Sequence, residues 1–176
     1  MKKVAFFDTK QYDMEWFEKL NKSFEIEYYE EKLNPHTARL AKGCEAVIAF
    51  VNDTINSETI NTLYNEGVKV IAMRCAGYNN INFKAAHKKL KVLRVPVYSP
   101  YAVAEHAMAL FLCLNRKIHK AYNRTRDFNF SLTGLTGFEL NGKTVGVIGT
   151  GKIGQIFIKI CKGFGMNVLA LSLIHI

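Results

Sequence analysis

Apolar residues fall along this chain in two alternating patterns, short continuous runs and stripes at helical spacing. Residues 4–7 form an apolar run that stops at Asp8, the signature of a buried strand. Met14, Phe17, Leu20 and Phe24 then recur at three- and four-residue steps, which predicts a helix over 12–24 with one apolar face. Residues 25–29 alternate and predict a second strand. Asn34 and Pro35 suit the opening of a short helix over 34–40, the first as a cap and the second as a residue with no amide hydrogen to leave unpaired. Further on, strands are predicted over 46–51, 68–73 and 92–97. Helices are predicted over 56–66, closed by Gly67, and over 82–89. Strand and helix thus alternate about every 20–25 residues, which implies an α/β fold of parallel strands with crossover helices on both faces.

A change comes near Ser99. Ser99 is placed to accept a hydrogen bond from the first amides of a helix, and Pro100 suits its first position. From 102 to 114 that helix is apolar on nearly every side, interrupted by Glu105 and His106. A helix of this kind is expected to be buried, here between two packed bodies. It turns polar after Arg116. Residues 132–138, with Gly134 and Gly137, read as a loop, and Asn141-Gly142 reads as a turn. A strand over 144–148, a helix over 152–163 and a strand over 166–171 complete the pattern. Two domains follow, 1–98 and 99–176.

Between strand and helix lie Gly149, Gly151 and Gly154 in the spacing G-x-G-x-x-G. Alone the spacing says little; after a Val/Ile-rich strand and before an amphipathic helix it predicts a dinucleotide site. Gly149 permits the tight turn, Gly151 lets the backbone approach a pyrophosphate, and Gly154 lets helix and strand pack closely. The helix start, with Lys152 and Ile153, presents unpaired amides to the phosphates. An ordinary Gly-rich turn is the competing reading. The acidic residue that holds the ribose of NAD at the end of the next strand is missing: the position falls near Ser172, and no carboxylate follows Glu139. The choice between NAD and NADP therefore stays open at this level, and residues 172–176 are expected not to be native sequence.

Composition narrows the picture further. The chain has 176 residues, 49% of them hydrophobic, with three prolines, ordinary values for a globular protein. It has no apolar stretch long enough to span a membrane and no signal-peptide pattern, so a cytoplasmic protein without membrane partners is expected. Cys44, Cys75, Cys113 and Cys161 are widely spaced, with no C-x-x-C pair and no nearby histidine. Reduced, mostly buried thiols and no metal site are expected. The formal charge of +9 comes largely from two clusters, Lys84 to Arg94 and Arg116 to Arg126. Solvated helix faces account for them, and no aromatic stripe interleaves with the charges as a single-strand binder requires, so no nucleic-acid partner is expected.

Three pieces of sequence occur in an order that resembles the D-isomer-specific 2-hydroxyacid dehydrogenases, in particular the members acting on D-lactate. They are Arg74-Cys75-Ala76-Gly77-Tyr78-Asn79-Asn80-Ile81, Val95-Pro96-Val97-Tyr98-Ser99-Pro100-Tyr101 running on to Ala107, and Leu140-Asn141-Gly142-Lys143 running into the glycine turn. The resemblance implies a flavodoxin-like substrate domain over 1–98 and the start of a Rossmann NAD-binding domain over 99–176. Its implied activity is hydride transfer between NAD and a small 2-oxo or 2-hydroxy acid. It implies that the Ala76-Gly77 turn grips the substrate carboxylate, that Tyr101 reaches the substrate and that Val103 lines the nicotinamide face. From the residues alone these are, respectively, a plain strand-end turn, a packing residue on a first helical turn, and helix core. Glu105 and His106 point in different directions along a helix and are read as structural. The family's catalytic Arg, Glu and His are expected beyond residue 176, so no catalytic residue is assigned here. The expectation is a truncated, inactive and poorly soluble piece of an enzyme that dimerises when full length. The alternative is a non-catalytic NAD-sensing scaffold of the same fold.

Overall fold

The computed structural model describes residues 1–172 and 174. The chain divides into two compact units after Tyr98.

The first unit is a five-stranded parallel sheet in the order β2-β1-β3-β4-β5, the arrangement of flavodoxin-like folds. The strands are β1 (Lys2–Phe6), β2 (Phe24–Tyr28), β3 (Ala46–Ala49), β4 (Val70–Met73) and β5 (Lys91–Arg94). Side chains alternate across the pleat. Ala5 and Phe7 join Val47, Ala49, Ile71 and Met73 in one core layer, covered by Ile60 and Leu63 of α2 (Ser57–Asn65) and by Ala38 and Ala41 of a 3-10 turn (Ala38–Ala41). Phe6 faces the other way, against Phe17 of α1 (Gln11–Leu20) in an edge-to-face contact of 5.0 Å. Both faces of the sheet are therefore covered, as the alternation of strand and helix predicts.

Several elements are shorter than the periodicity suggests, each for a local reason. α1 ends at Leu20 rather than Phe24. The Asn21 side chain accepts from the amides of Ser23 and Phe24 at 3.2 and 3.0 Å, turning the chain so that Phe24 opens β2 opposite Lys2. The helix expected over 34–40 is a turn followed by the 3-10 segment. Asn34 does accept from His36 and Thr37, but Thr37 Oγ1 accepts from the Asn34 amide and donates to the Lys32 carbonyl, holding a non-helical turn. α3 (Phe83–Ala86) is one turn long, capped by Asn82 and followed by Lys88 at φ 60°, a left-handed residue that stops it. β5 stops at Arg94, because the Val95 amide bonds to Cys75 and Pro96 has no amide to donate. Asn56, expected as the first helical residue, instead caps α2 and accepts from the Thr59 amide, and Gly67 ends the helix as expected at φ 94°.

In the second unit α4 (Pro100–Arg116) and α5 (Ile118–Arg126) precede β6 (Thr144–Ile148), α6 (Lys152–Gly163) and β7 (Asn167–Leu171). The two strands pair in parallel from Thr144 opposite Asn167 to Ile148 opposite Leu171. Met108, Leu140, Cys161 and Met166 form its core, with Phe111, Leu112 and Phe157 against them. Pro100 takes the first position of α4, but Ser99 makes no capping hydrogen bond. The all-round burial expected of α4 does not hold among the described residues. Ala104 and Met108 are buried, while Val103, Leu110 and Leu114 are exposed. One face of the helix packs on α6. α4 and α5 are separate helices, because Lys117 between them is left-handed at φ 51°.

All four cysteines are free thiols, and Cys44, Cys75 and Cys161 are buried. One expectation is corrected: Cys113 does have a histidine beside it, with Sγ 3.2 Å from His119 Nδ1. The left-handed Lys117 redirects the chain and brings position 119 back to the end of α4, a geometry that linear spacing does not reveal. No helix among the described residues is long and apolar enough to cross a membrane.

Candidate functional site

The glycine turn joins β6 to α6. Gly149 lies at φ 102°, a conformation that L side chains rarely adopt, and its amide donates to Leu171 O at 2.8 Å. Gly151 is the N-cap of α6, with φ −68° and no heavy atom near the place a β carbon would occupy. Its carbonyl accepts from the Gln155 amide at 2.9 Å, and the Gln155 side chain donates to Thr150 O at 2.9 Å. No side chain caps the helix, so among the described residues the first amides of α6, including those of Lys152 and Ile153, carry no internal partner. Gly154 is required for another reason: a β carbon there would collide with the Gly149 carbonyl oxygen. A cavity of about 490 Å³ opens along this turn, bordered by Val147, Phe157 and two small residues of α4, Ala104 and Ala107. Val103 is not part of that border and lies exposed on α4. The small residues four and seven positions after Pro100 are a signal that sequence reading passed over.

The Ala76-Gly77 turn follows β4 in the first unit. Its carbonyls are engaged: Ala76 O accepts from Arg94 Nη1 at 3.0 Å, and Gly77 O accepts from Cys75 Sγ at 3.4 Å. Among the described residues, the amides of Ala76 and Gly77 have no hydrogen-bond partner. A β carbon at Gly77 would lie 3.2 Å from Val51 Cγ2, a tight approach. The loop opposite is tied down by Asn80, whose Nδ2 donates to Phe50 O at 3.0 Å and to Asp53 O at 2.9 Å.

Beneath this turn lies a charged network that sequence reading missed. Arg74 stacks on Phe50 with its guanidinium carbon 4.3 Å from the ring centre. It donates from Nη2 to the Asp8 carbonyl at 2.8 Å and pairs with the carboxylates of Asp8 and Asp13 at 3.7 and 3.5 Å. Asp8 is itself in a left-handed conformation at φ 49° and takes a second cation, Lys10, at 2.8 Å. Asp53, also buried, accepts from the amides of Leu33 at 2.9 Å and Phe50 at 2.6 Å. Burial pushes its carboxyl above the ordinary value, against the opposing pull of those two amides. Asp8 and Arg74 each stand just past the end of an apolar strand, which was the available clue.

Tyr101 and Val103 lie on the first turn of α4 and are exposed. Glu105 and His106 are exposed as well and make no side-chain hydrogen bond or ion pair among the described residues. Ser172, at the position sequence reading assigns to a ribose contact, directly follows β7. The expectation of non-native sequence over 172–176 falls mostly on residues outside the described set.

The first unit is a parallel sheet of flavodoxin-like order, and the second contains a β–glycine turn–α–β unit of the Rossmann type, which together define an α/β protein. The chain belongs to the D-isomer specific 2-hydroxyacid dehydrogenase family, whose catalytic-domain profile matches residues 4–168. It is 54% identical over 171 residues to D-lactate dehydrogenase of Escherichia coli and 52% identical to a 2-hydroxyacid dehydrogenase homolog of Haemophilus influenzae. Each alignment covers 96% of this chain and 52% of the relative. The apo-structure of the Escherichia coli D-lactate dehydrogenase superposes with a TM-score of 0.87, covering 96% of this chain and 54% of that one. A D-lactate dehydrogenase from Aquifex aeolicus, solved in complex with NAD and lactic acid, superposes with a TM-score of 0.79 at 30% identity, covering 97% of this chain and 51% of that one. The chain thus spans about half the length of the relatives it matches.

Proposed function

We propose that this chain supplies the substrate cradle and the pyrophosphate turn of an NAD-dependent D-2-hydroxyacid dehydrogenase acting on pyruvate and D-lactate. The observation that carries the reading is the combination at α6 of unpartnered first-turn amides, an uncapped helix start and open space above Gly151. These features suit a diphosphate: the amides donate to its oxygens, the helix dipole favours its charge, and nothing on Gly151 keeps it away. NAD, when bound, supplies the hydride acceptor or donor. Residues 99–176 then serve cofactor binding, with Gly149, Gly151, Lys152, Ile153 and Gly154 at the phosphates and Val103 toward the nicotinamide.

Residues 1–98 serve the substrate. The amides of Ala76 and Gly77 are unpartnered while their carbonyls are occupied, so the turn offers only donors. That arrangement suits a carboxylate. None of the residues proposed for the substrate, Ala76, Gly77 and Tyr101, is an arginine or a histidine. Turnover is therefore expected only from a polypeptide that adds an arginine and an acid. A full-length enzyme is expected to work as a homodimer in the cytoplasm.

Two measurements test this. NADH titrated into the chain should bind, and Gly151→Ala should weaken binding by about ten-fold or more, roughly 1.4 kcal/mol. A complete-length version should oxidise NADH when given pyruvate. NADH binding that is indifferent to Gly151→Ala would remove the cofactor reading; binding without pyruvate turnover in the complete-length version would favour a non-catalytic scaffold.

A further inference from the structure

We propose that Arg94 is a positioning residue for the substrate carboxylate: it holds the peptide between Ala76 and Gly77 so that the Gly77 amide points at the anion. The inference rests on the reading of this turn as the carboxylate site.

Two amides serve that site. Each belongs to a planar trans peptide whose carbonyl points the opposite way, so fixing the carbonyl aims the amide. Cys75 O, in the peptide that carries the Ala76 amide, accepts from the Val95 amide at 3.2 Å, a continuation of the β4–β5 pairing. Ala76 O, in the peptide that carries the Gly77 amide, accepts from Arg94 Nη1 at 3.0 Å. Backbone pairing thus aims the first amide, and the Arg94 side chain aims the second.

The second peptide is also the one that needs holding. A peptide followed by glycine turns over readily, since glycine accepts the backbone angles of both forms. Turned over, it would present a carbonyl oxygen to the anion in place of the Gly77 amide. Donation from a cation to Ala76 O opposes that flip. It also polarises the peptide, which makes the Gly77 N–H a stronger donor.

Arg94 is itself fixed in place. It closes β5 opposite Met73. Its Nη1 donates as well to Pro96 O at 3.3 Å, and its guanidinium carbon lies 5.0 Å from the centre of the Tyr78 ring. That ring meets Phe83 edge-on at 5.8 Å. The guanidinium therefore holds the turn at Ala76 and braces it at Tyr78. Both hydrogen bonds are exposed, so water replaces them when the side chain is removed and the fold survives.

Steady-state kinetics of the complete-length enzyme test this. Arg94→Met should raise KM for pyruvate about ten-fold and leave kcat within about two-fold, the pattern of lost substrate binding. The Kd for NADH and the thermal melt should stay at parent values. Arg94→Lys, which keeps a cationic donor, should recover most of the loss. The ratio of the Arg94→Met KM to the parent KM should persist in about 0.5 M salt, because a hydrogen bond that orients a peptide is not screened as a distant charge is. A parent KM in Arg94→Met, a fall in kcat at unchanged KM, or a ratio that vanishes in salt would each overturn the role of Arg94 while leaving the turn as the carboxylate site. Absence of pyruvate turnover in the parent would instead remove the carboxylate reading, and this role with it.

Discussion

Gly154 and Gly149 meet so closely that a β carbon on the first would strike the carbonyl oxygen of the second. Gly151, between them, has open space above it and an unremarkable φ of −68°. Gly154 and Gly151 therefore fail in different ways. Gly154→Ala should lower the melting temperature and weaken NADH binding together, because the turn must deform. Gly151→Ala should leave the melt within about 1 kcal/mol of the parent while still weakening binding, because its methyl group meets only the incoming ligand. Thermal denaturation alongside NADH titration separates the two, and a Gly151→Ala melt that falls as far as that of Gly154→Ala would contradict the geometry.

Arg74 is held between Phe50 and the carboxylates of Asp8 and Asp13 with its side chain 14% exposed. Removing it leaves two largely buried carboxylates facing each other without their shared cation. Arg74→Met should cost about 3 kcal/mol in urea denaturation. Lysine should recover only part of this, since it lacks the planar fork that reaches the Asp8 carbonyl and both carboxylates at once. Full recovery with lysine would show that charge alone matters at this position.

Asp53 holds the amides of Leu33 and Phe50, and Leu33 is fully buried. Asp53→Ala should cost about 3 kcal/mol by orphaning both donors. A pH dependence accompanies this. Burial raises the Asp53 carboxyl above its ordinary value in the folded chain, so the folded state binds this proton more tightly than the unfolded state. Stability from this group then falls as pH rises from the ordinary carboxylate range, about pH 4, through the folded value, and levels off above it. Asp53→Asn removes that slope while keeping one acceptor. Denaturation of the two proteins over a pH series should show the difference between them narrowing as pH rises.

Leu169 and Leu171 on β7 are 68% and 47% exposed, and Ile148 on the paired strand is 75% exposed. An apolar strand with one described neighbour is a template for further pairing. Leu169→Lys should reduce light scattering of the chain on concentration, with little change in its circular dichroism. Unchanged scattering would place the aggregating surface elsewhere.

Element type was legible in this sequence, because buried strands and amphipathic helices have distinct periods. Parallel strands followed from the crossover rhythm, the flavodoxin-like arrangement from the family resemblance, and the glycine turn from its flanks. Element ends were less legible. Asn21 looked like one more polar residue on a helix, yet its side chain ends α1 by bonding to amides beyond it. Thr37 and Lys88 act in the same local way. The Arg74 network and the Cys113–His119 pair were invisible for a different reason. Each depends on where the backbone takes a residue, through strand order in one case and a single left-handed Lys117 in the other. The exposed half of α4 was misread because an apolar residue indicates a need for cover without indicating what supplies it.

The hydrogen bond from Arg74 to Asp8 joins positions 66 residues apart. Closing so large a loop is slow and entropically costly, so the Ala76-Gly77 turn cannot acquire its final shape from its own neighbourhood. A peptide containing only that turn and β4 should be unable to hold a carboxylate. During folding, the proposed carboxylate binding should emerge late, after β1 has docked beside β3 and β3 beside β4.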